Sequence, residues 1–232
     1  MEQWLNLAKG PLFTFTFLFM ILGLFRHVVL QIYYLLIRKG RRLRNAPWGK
    51  IAVDTLSWAV PIKHFIPGTV FFSSASFLSH IGMIIVPLLL ADHIAMWENY
   101  FGVNLPSISV VLADVLTVFT MICLIILFCC RLFVGRQRAM SETMDYLILI
   151  MVFLPFISGF LASHPHFNPF SWNAMMLTHI LSSELLFVII PFTKLSHIVL
   201  FFFDRISGLH WQLRPGAGDK VADALYGKEA RV

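Results

Sequence analysis

Nine histidines stand in a chain of 232 residues that is 58% apolar and only 13% charged. Five of them, His27, His80, His93, His179 and His197, fall inside long apolar stretches. An ionisable group at membrane depth is costly to place, so each such residue is a functional hypothesis in its own right. His179 and His197 are 18 residues apart, which on one helix is about five full turns and about 27 Å of rise, so they point the same way at different depths. His80 and His93 are 13 residues apart, about 20 Å of rise and roughly 140° out of register on an ideal helix. Pro87 lies between them, and a proline kink or local unwinding would correct that facing. Antiparallel packing of the two stretches then pairs His93 with His179 and His80 with His197. Two bis-histidine pairs stacked across a bilayer suit two b haems, since a low-spin haem iron takes one axial imidazole from each side. A structural hydrogen-bonding role, a transition-metal site or a histidine-based metal or proton transporter are the competing readings of the same four residues.

Elements of membrane-crossing length must position these side chains. A helix needs about 20 mostly apolar residues to cross a bilayer, and five stretches qualify, at 11 to 37, 69 to 97, 107 to 133, 145 to 163 and 174 to 203. The expectation is an all-α polytopic membrane protein, with one five-helix domain over residues 1–204 and a tail over residues 205–232. Arg and Lys sort sharply between the connecting segments. Arg38, Lys39, Arg41, Arg42, Arg44, Lys50, Lys63, Arg131, Arg136, Arg138 and the tail's basic residues fall on one side, against Lys9 on the other. Positive residues collect in the cytoplasm, so the N-terminus is expected outside and the C-terminus inside. The basic run follows the first apolar stretch instead of preceding it, which argues against a cleaved signal peptide. Residues 48 to 65 mix Trp48, Ile51, Leu56 and Trp58 with Lys50, Asp54 and Lys63, a pattern for a helix in the inner interface or a docking surface.

The formal net charge of +6 is concentrated in these loops and not spread over a surface, so nucleic acid is not an expected partner. Low charge and three cysteines exclude a soluble enzyme, a disordered regulator and a disulfide scaffold. Cys123, Cys129 and Cys130 form no CxxC pair and read as packing residues. Phosphate-binding glycine loops, GxSxG and HExxH are absent, which sends most of the chemistry to a cofactor or another polypeptide. There is no internal repeat of the kind that builds inverted-repeat transporters.

The segment Pro191-Phe192-Thr193-Lys194-Leu195-Ser196-His197, with His179 placed 18 residues before its end, resembles the closing motif of the gamma subunit of respiratory nitrate reductase, a five-span dihaem cytochrome b. The stretch from Arg131 through Arg136, Arg138, Ala139 and Ser141 to Asp145-Tyr146-Leu147-Ile148-Leu149 resembles that family's third loop and fourth span. His80-Ile81-Gly82 resembles part of its second span. The second-span histidines are further apart than in that family, and its lysine near the quinol site has no match between Glu98 and Pro106. A cytochrome b of heterodisulfide reductase-like or sulfite-reduction-associated complexes is therefore an alternative, as is a quinone-reducing partner of a dehydrogenase.

The resemblance implies a prokaryotic cytoplasmic-membrane subunit with two b haems. It implies quinol oxidation beside the outer haem and electron delivery through the inner haem to cytoplasmic iron-sulfur and catalytic subunits. Asp92, Glu98 and Glu184 are then the candidate proton acceptors, with Asp114 a further one and His164 and His166 possible caps of the outer site. Arg26, Arg131, Arg136 and Lys194 are candidate donors to haem propionates, because a carboxylate at membrane depth needs a partner, although Lys194 equally suits snorkelling to the interface. Arg26-His27 suits a propionate or a partner helix better than iron. The tail from His210 to Gly216 is the expected docking element for the electron-accepting subunit.

Overall fold

A computed structural model describes residues 1–44, 48–59 and 69–203. Those residues are 87% helical and contain no strand. Five helical segments, Glu2–Ile37, Val70–Leu89, Val110–Phe133, Thr143–Ser163 and Trp172–Phe192, are long and apolar enough to cross a membrane. The expected tail, Lys63, His64 and His210 lie outside the described residues. By its contacts the chain forms two compact units, the described parts of Met1–Phe17 with Phe65–Val188 and of Leu18–His64 with Ile189–Val232.

The first unit begins with α1 (Glu2–Leu7) and a π-helical segment, Ala8–Leu12, that runs directly into α2 (Phe13–Arg44). Pro11 lies in the π segment. A proline has no amide to donate, and the wider turn absorbs that loss without breaking the helix. The helical segment thus starts nine residues ahead of the apolar stretch that marks it in the sequence.

In the same unit α4 (Val70–Leu89), α6 (Val110–Phe133) and α8 (Thr143–Ser163) supply the buried interior. Ser79 and Thr120 are completely buried, and Gly82 faces α6 so closely that a Cβ there would collide with Thr120 Oγ1 and sit 3.1 Å from the Leu116 carbonyl. Small residues permit this approach, which is how helices associate where lipid removes the hydrophobic drive. Helix α6 starts at Ser109, whose hydroxyl accepts from the Leu112 amide at 3.3 Å. Helix α8 starts at a capping box in which Glu142 and Asp145 satisfy each other's backbone amides. Between them lies the short α7 (Gly135–Ala139).

Residues 69 to 97 do not form one helix. Helix α4 stops at Leu89, Leu90 is extended (φ −66°, ψ 134°), and α5 (Ala91–Phe101) starts afresh and ends at Gly102, whose φ of 66° is left-handed. Pro87, inside the last turn of α4, has no amide to return to the carbonyl four residues back, which weakens the helix just ahead of the break. The carbonyls exposed by the interruption find other donors: the Trp97 indole donates to Pro87 O at 3.2 Å and the Ile108 amide to Leu89 O at 3.0 Å. That is a requirement for irregular backbone within apolar surroundings. His80 and His93 therefore ride on different helices.

The fifth stretch also departs from the single helix expected over 174 to 203. Helix α9 covers Trp172–Ile189, after which 3₁₀ turns at Ile190–Phe192 and Lys194–Ser196 flank an extended Thr193 (ψ 179°). The five-turn register between His179 and His197 presumed an unbroken helix and does not hold. Pro191 is the reason, since it cannot donate to the α-helical ladder.

In the second unit α2 lies against this turn. A Cβ on Gly23 would come within 2.6 Å of Pro191, and His27 Nε2 donates to Pro191 O at 2.6 Å. His27 thus ties α2 to a neighbouring element and Arg26 beside it is exposed. Helix α3 (Trp48–Ala59), the expected interfacial helix as far as it is described, buries Ile51.

Candidate functional site

His93 occupies the first turn of α5 and His179 the second turn of α9. The break at Leu90 aims the first, and α8 holds the second. His179 Nδ1 donates to the Pro155 carbonyl at 2.8 Å, and its ring lies over Gly159, where a Cβ would stand 2.9 Å from both Cε1 and Nδ1. With its hydrogen on Nδ1, a neutral imidazole presents a lone pair at Nε2, the arrangement that backbone-anchored metal-ligating histidines adopt.

The two ring planes are 3° from parallel and their centroids are 6.1 Å apart. His93 Nδ1 is buried and makes no hydrogen bond of normal geometry among the described residues. A metal that lies in the planes of two imidazoles, about 2.0 Å from a nitrogen of each, leaves their centroids roughly 6 Å apart. The ring separation and the missing side chain at Gly159 fit a metal that these two residues would hold.

The same unit also gathers aromatic side chains that the sequence alone does not bring together. Trp97 lies one turn after His93 on α5. Phe13 and Phe17 of α2, Tyr100 and Phe101 of α5 and Phe187 of α9 complete the cluster, with centroids 5.1 Å apart for Phe13 and Tyr100 and 5.7 Å for Phe17 and Phe187. The Tyr100 hydroxyl donates to the Lys9 carbonyl, and the Lys9 ammonium sits 5.4 Å over the Trp172 ring.

Glu184 of α9 is 3% exposed and neither carboxylate oxygen has a hydrogen-bond partner among the described residues. Burying such a group without a partner costs roughly 2–7 kcal/mol, a cost that a purely structural position would not keep. Asp92 and Glu98 are exposed on α5, and Glu98 accepts from Asn104 Nδ2 at 3.4 Å.

Arg131 lies at the far end of α6 with protein partners of its own. Its guanidinium donates to Ser141 Oγ at 2.8 Å, stands 3.6 Å from Asp145 and covers the Phe72 ring at 5.5 Å. Tyr146 donates to the Arg131 carbonyl at 2.8 Å, and Arg131 Nε is buried without a partner. This cluster joins the end of α6 to the start of α8. Arg136 and Lys194 are exposed. His80 Nδ1 donates to Ser76 O and His197 Nδ1 to Lys194 O, each at 2.7 Å. His80 belongs to the first unit and His197 to the second. Cys123 is buried in α6, in keeping with a packing role, and Cys129 is exposed.

No protein-family profile and no solved structure matches the chain. Over 169 residues it is 36% identical to a protein of Nitratidesulfovibrio vulgaris strain Hildenborough described as "Protein", and the match covers 72% of this chain and 74% of that one. With that identity over that share of both sequences, the chain belongs to the same family as this Nitratidesulfovibrio vulgaris protein.

Proposed function

We propose that this protein is a membrane cytochrome b, the quinol-oxidising and electron-transfer subunit of a prokaryotic respiratory oxidoreductase resembling the nitrate reductase gamma subunit. The observation that carries the reading is the parallel His93–His179 pair at 6.1 Å, held over a glycine on α8. In this reading those two residues would hold the outer b haem. A second b haem, which His80 and His197 would hold, rests on the sequence resemblance alone.

The bound haem supplies a one-electron acceptor within the apolar interior. The chain's own residues do the rest. Pro155 O fixes the tautomer and orientation of His179, which keeps Nε2 basic and aimed. The aromatic cluster of Phe13, Phe17, Trp97, Tyr100, Phe101 and Phe187 is the apolar, planar surface proposed for the quinol ring. Glu184, buried and unpaired, is suited to hold a proton at membrane depth.

With the N-terminus outside, the basic inner segments offer the docking side for an iron-sulfur subunit and a catalytic subunit. The test is an absorption spectrum of the detergent-purified chain, air-oxidised and then dithionite-reduced, with haem counted by pyridine haemochrome. Two b haems per chain are expected. A folded preparation with no haem band overturns the reading.

A further inference from the structure

Between Lys9 and Arg38 the sequence holds one formally charged side chain, Arg26. It lies in the membrane-length segment Glu2–Ile37, 12 residues before Arg38, which is about 18 Å along a helix. The basic run that starts at Arg38 marks the membrane boundary on that side. A bilayer is about 40–45 Å thick with its headgroups and about 30 Å without them. Whether Arg38 stands among the headgroups or at the hydrocarbon edge, Arg26 is close to the midplane, too deep for its side chain to snorkel out. Arginine keeps its charge throughout the working pH range, so a full positive charge is fixed where hydrocarbon gives it no partner.

The rotation of α2 at this level is set by contacts inside the second unit. Gly23 is pressed against Pro191, and the His27 ring donates to Pro191 O. Arg26, about 100° around the helix from His27, is exposed. It makes no hydrogen bond or ion pair among the described residues. Leu22, Phe25, Val29 and Leu30 around it are between 45% and 65% exposed. The result is an apolar helix face with a single cation in it. Lipid tails cover the apolar side chains of such a face but cannot satisfy a guanidinium.

The source of the missing negative charge is restricted by depth. Lipid phosphates lie at the bilayer surface. A second copy of this chain has no exposed carboxylate near mid-span among the described residues of its membrane-length helices: Glu184 is buried within α9, Asp145 is buried at the start of α8, and Asp114 stands near the start of α6. Asp92 and Glu98 fall outside those helices. We propose that the Arg26 face of α2 is the docking surface for a transmembrane helix of a different subunit, one that carries Asp or Glu near its midpoint. Guanidinium and carboxylate join through two parallel N–H···O bonds, and without competing water that contact selects the helix and fixes its depth. Leu22, Phe25, Val29 and Leu30 pack around it. This membrane partner is additional to the cytoplasmic subunits, and the docking surface does not depend on what the histidines hold.

The experiment uses the full chain in membranes of cells that make its native complex, with a photo-crosslinking phenylalanine analogue in place of Leu22. Illumination followed by mass spectrometry is expected to give an adduct with a transmembrane segment of another chain that has Asp or Glu close to its midpoint. Arg26→Leu lowers that adduct about tenfold, the loss of one charge-assisted contact, and Arg26→Glu combined with arginine at the partner's carboxylate restores it. Detergent-purified Arg26→Leu keeps the haem content and melting temperature of the wild type, because the removed charge has no partner within the chain. Adducts only with lipid or with a second copy, a partner segment that lacks a carboxylate, or an adduct undiminished in Arg26→Leu each overturn the docking surface. Loss of haem from Arg26→Leu also overturns it, since the guanidinium would then serve a propionate. A wild-type chain that binds no haem fails the cytochrome reading and leaves the crosslinking result to decide the docking surface by itself.

Discussion

The imidazole of His93 lies 3° from parallel with that of His179, their centroids 6.1 Å apart, although 86 positions separate them in sequence. One side chain is aimed by a helix break and the other by a glycine and a carbonyl on a third helix. Removing either should have the same consequence. His93→Ala and His179→Ala are each expected to lose one and the same haem, leaving about one per chain by pyridine haemochrome and identical residual redox spectra. Different residual spectra would show that the two residues do not serve one iron.

Gly159 offers a test that leaves both histidines in place. A Cβ there meets the His179 ring at 2.9 Å, so Gly159→Ala pushes the ring and Gly159→Val pushes it further. Overpacking of this kind costs about 1–3 kcal/mol. The expected outcome is graded loss of one haem from alanine to valine, with helical content by circular dichroism retained. Full haem occupancy in Gly159→Val would show that the ring has room to move.

Glu184 pits stability against function. Replacing a buried, unpaired carboxyl with an apolar side chain of similar size removes a desolvation cost of about 1–3 kcal/mol. Glu184→Leu should therefore melt at the same or a higher temperature in detergent while quinol oxidation by the intact chain falls. A marked drop in melting temperature would mean that the carboxyl makes a stabilising contact, and full activity would remove it from proton transfer.

The Gly82–Thr120 contact concerns packing and not chemistry. Gly82→Leu forces apart α4 and α6 where Thr120 is fully buried and should destabilise the fold by about 1–3 kcal/mol or more, read as a lower thermal midpoint of the detergent-solubilised chain. Gly82→Leu combined with Thr120→Ala should recover part of the loss, because the smaller partner returns some of the space. An unaffected single variant would show that the helices are not in close contact here.

The five membrane-length stretches were legible because a run of about 20 apolar residues is a local property. The breaks within them were not. Pro87 marks a weak point, but the run Leu88 to Ala91 stays apolar across the interruption. The donors that make it tolerable, Trp97 and Ile108, come from later in the chain. Pro191 ends α9 while its neighbours remain apolar, so hydropathy continues where the helix does not. Pro11 is the opposite case, a proline absorbed by a wider turn. Among the candidate site residues, His93 and His179 were visible as ionisable groups in apolar stretches, whereas Gly159 carries no sign in sequence of the ring above it. The contact of His164 Nε2 with Asp114 Oδ2 at 3.4 Å was equally hidden, since neither residue is unusual until the fold sets one against the other.

The interruption at Leu90 has a kinetic consequence. Helix α5 is tethered across the break by the Trp97 indole on Pro87 O, and the segment after it by the Ile108 amide on Leu89 O. His93 is therefore carried on a short, braced segment instead of the middle of a long helix free to bend. Electron transfer is fastest when the nuclei around the redox centre need to move least between oxidation states, and groups locked by their surroundings in advance of the reaction meet that condition. In the cytochrome b proposed above, loosening the brace, as in Trp97→Phe, would raise the reorganisation energy of the centre while leaving the two histidines untouched.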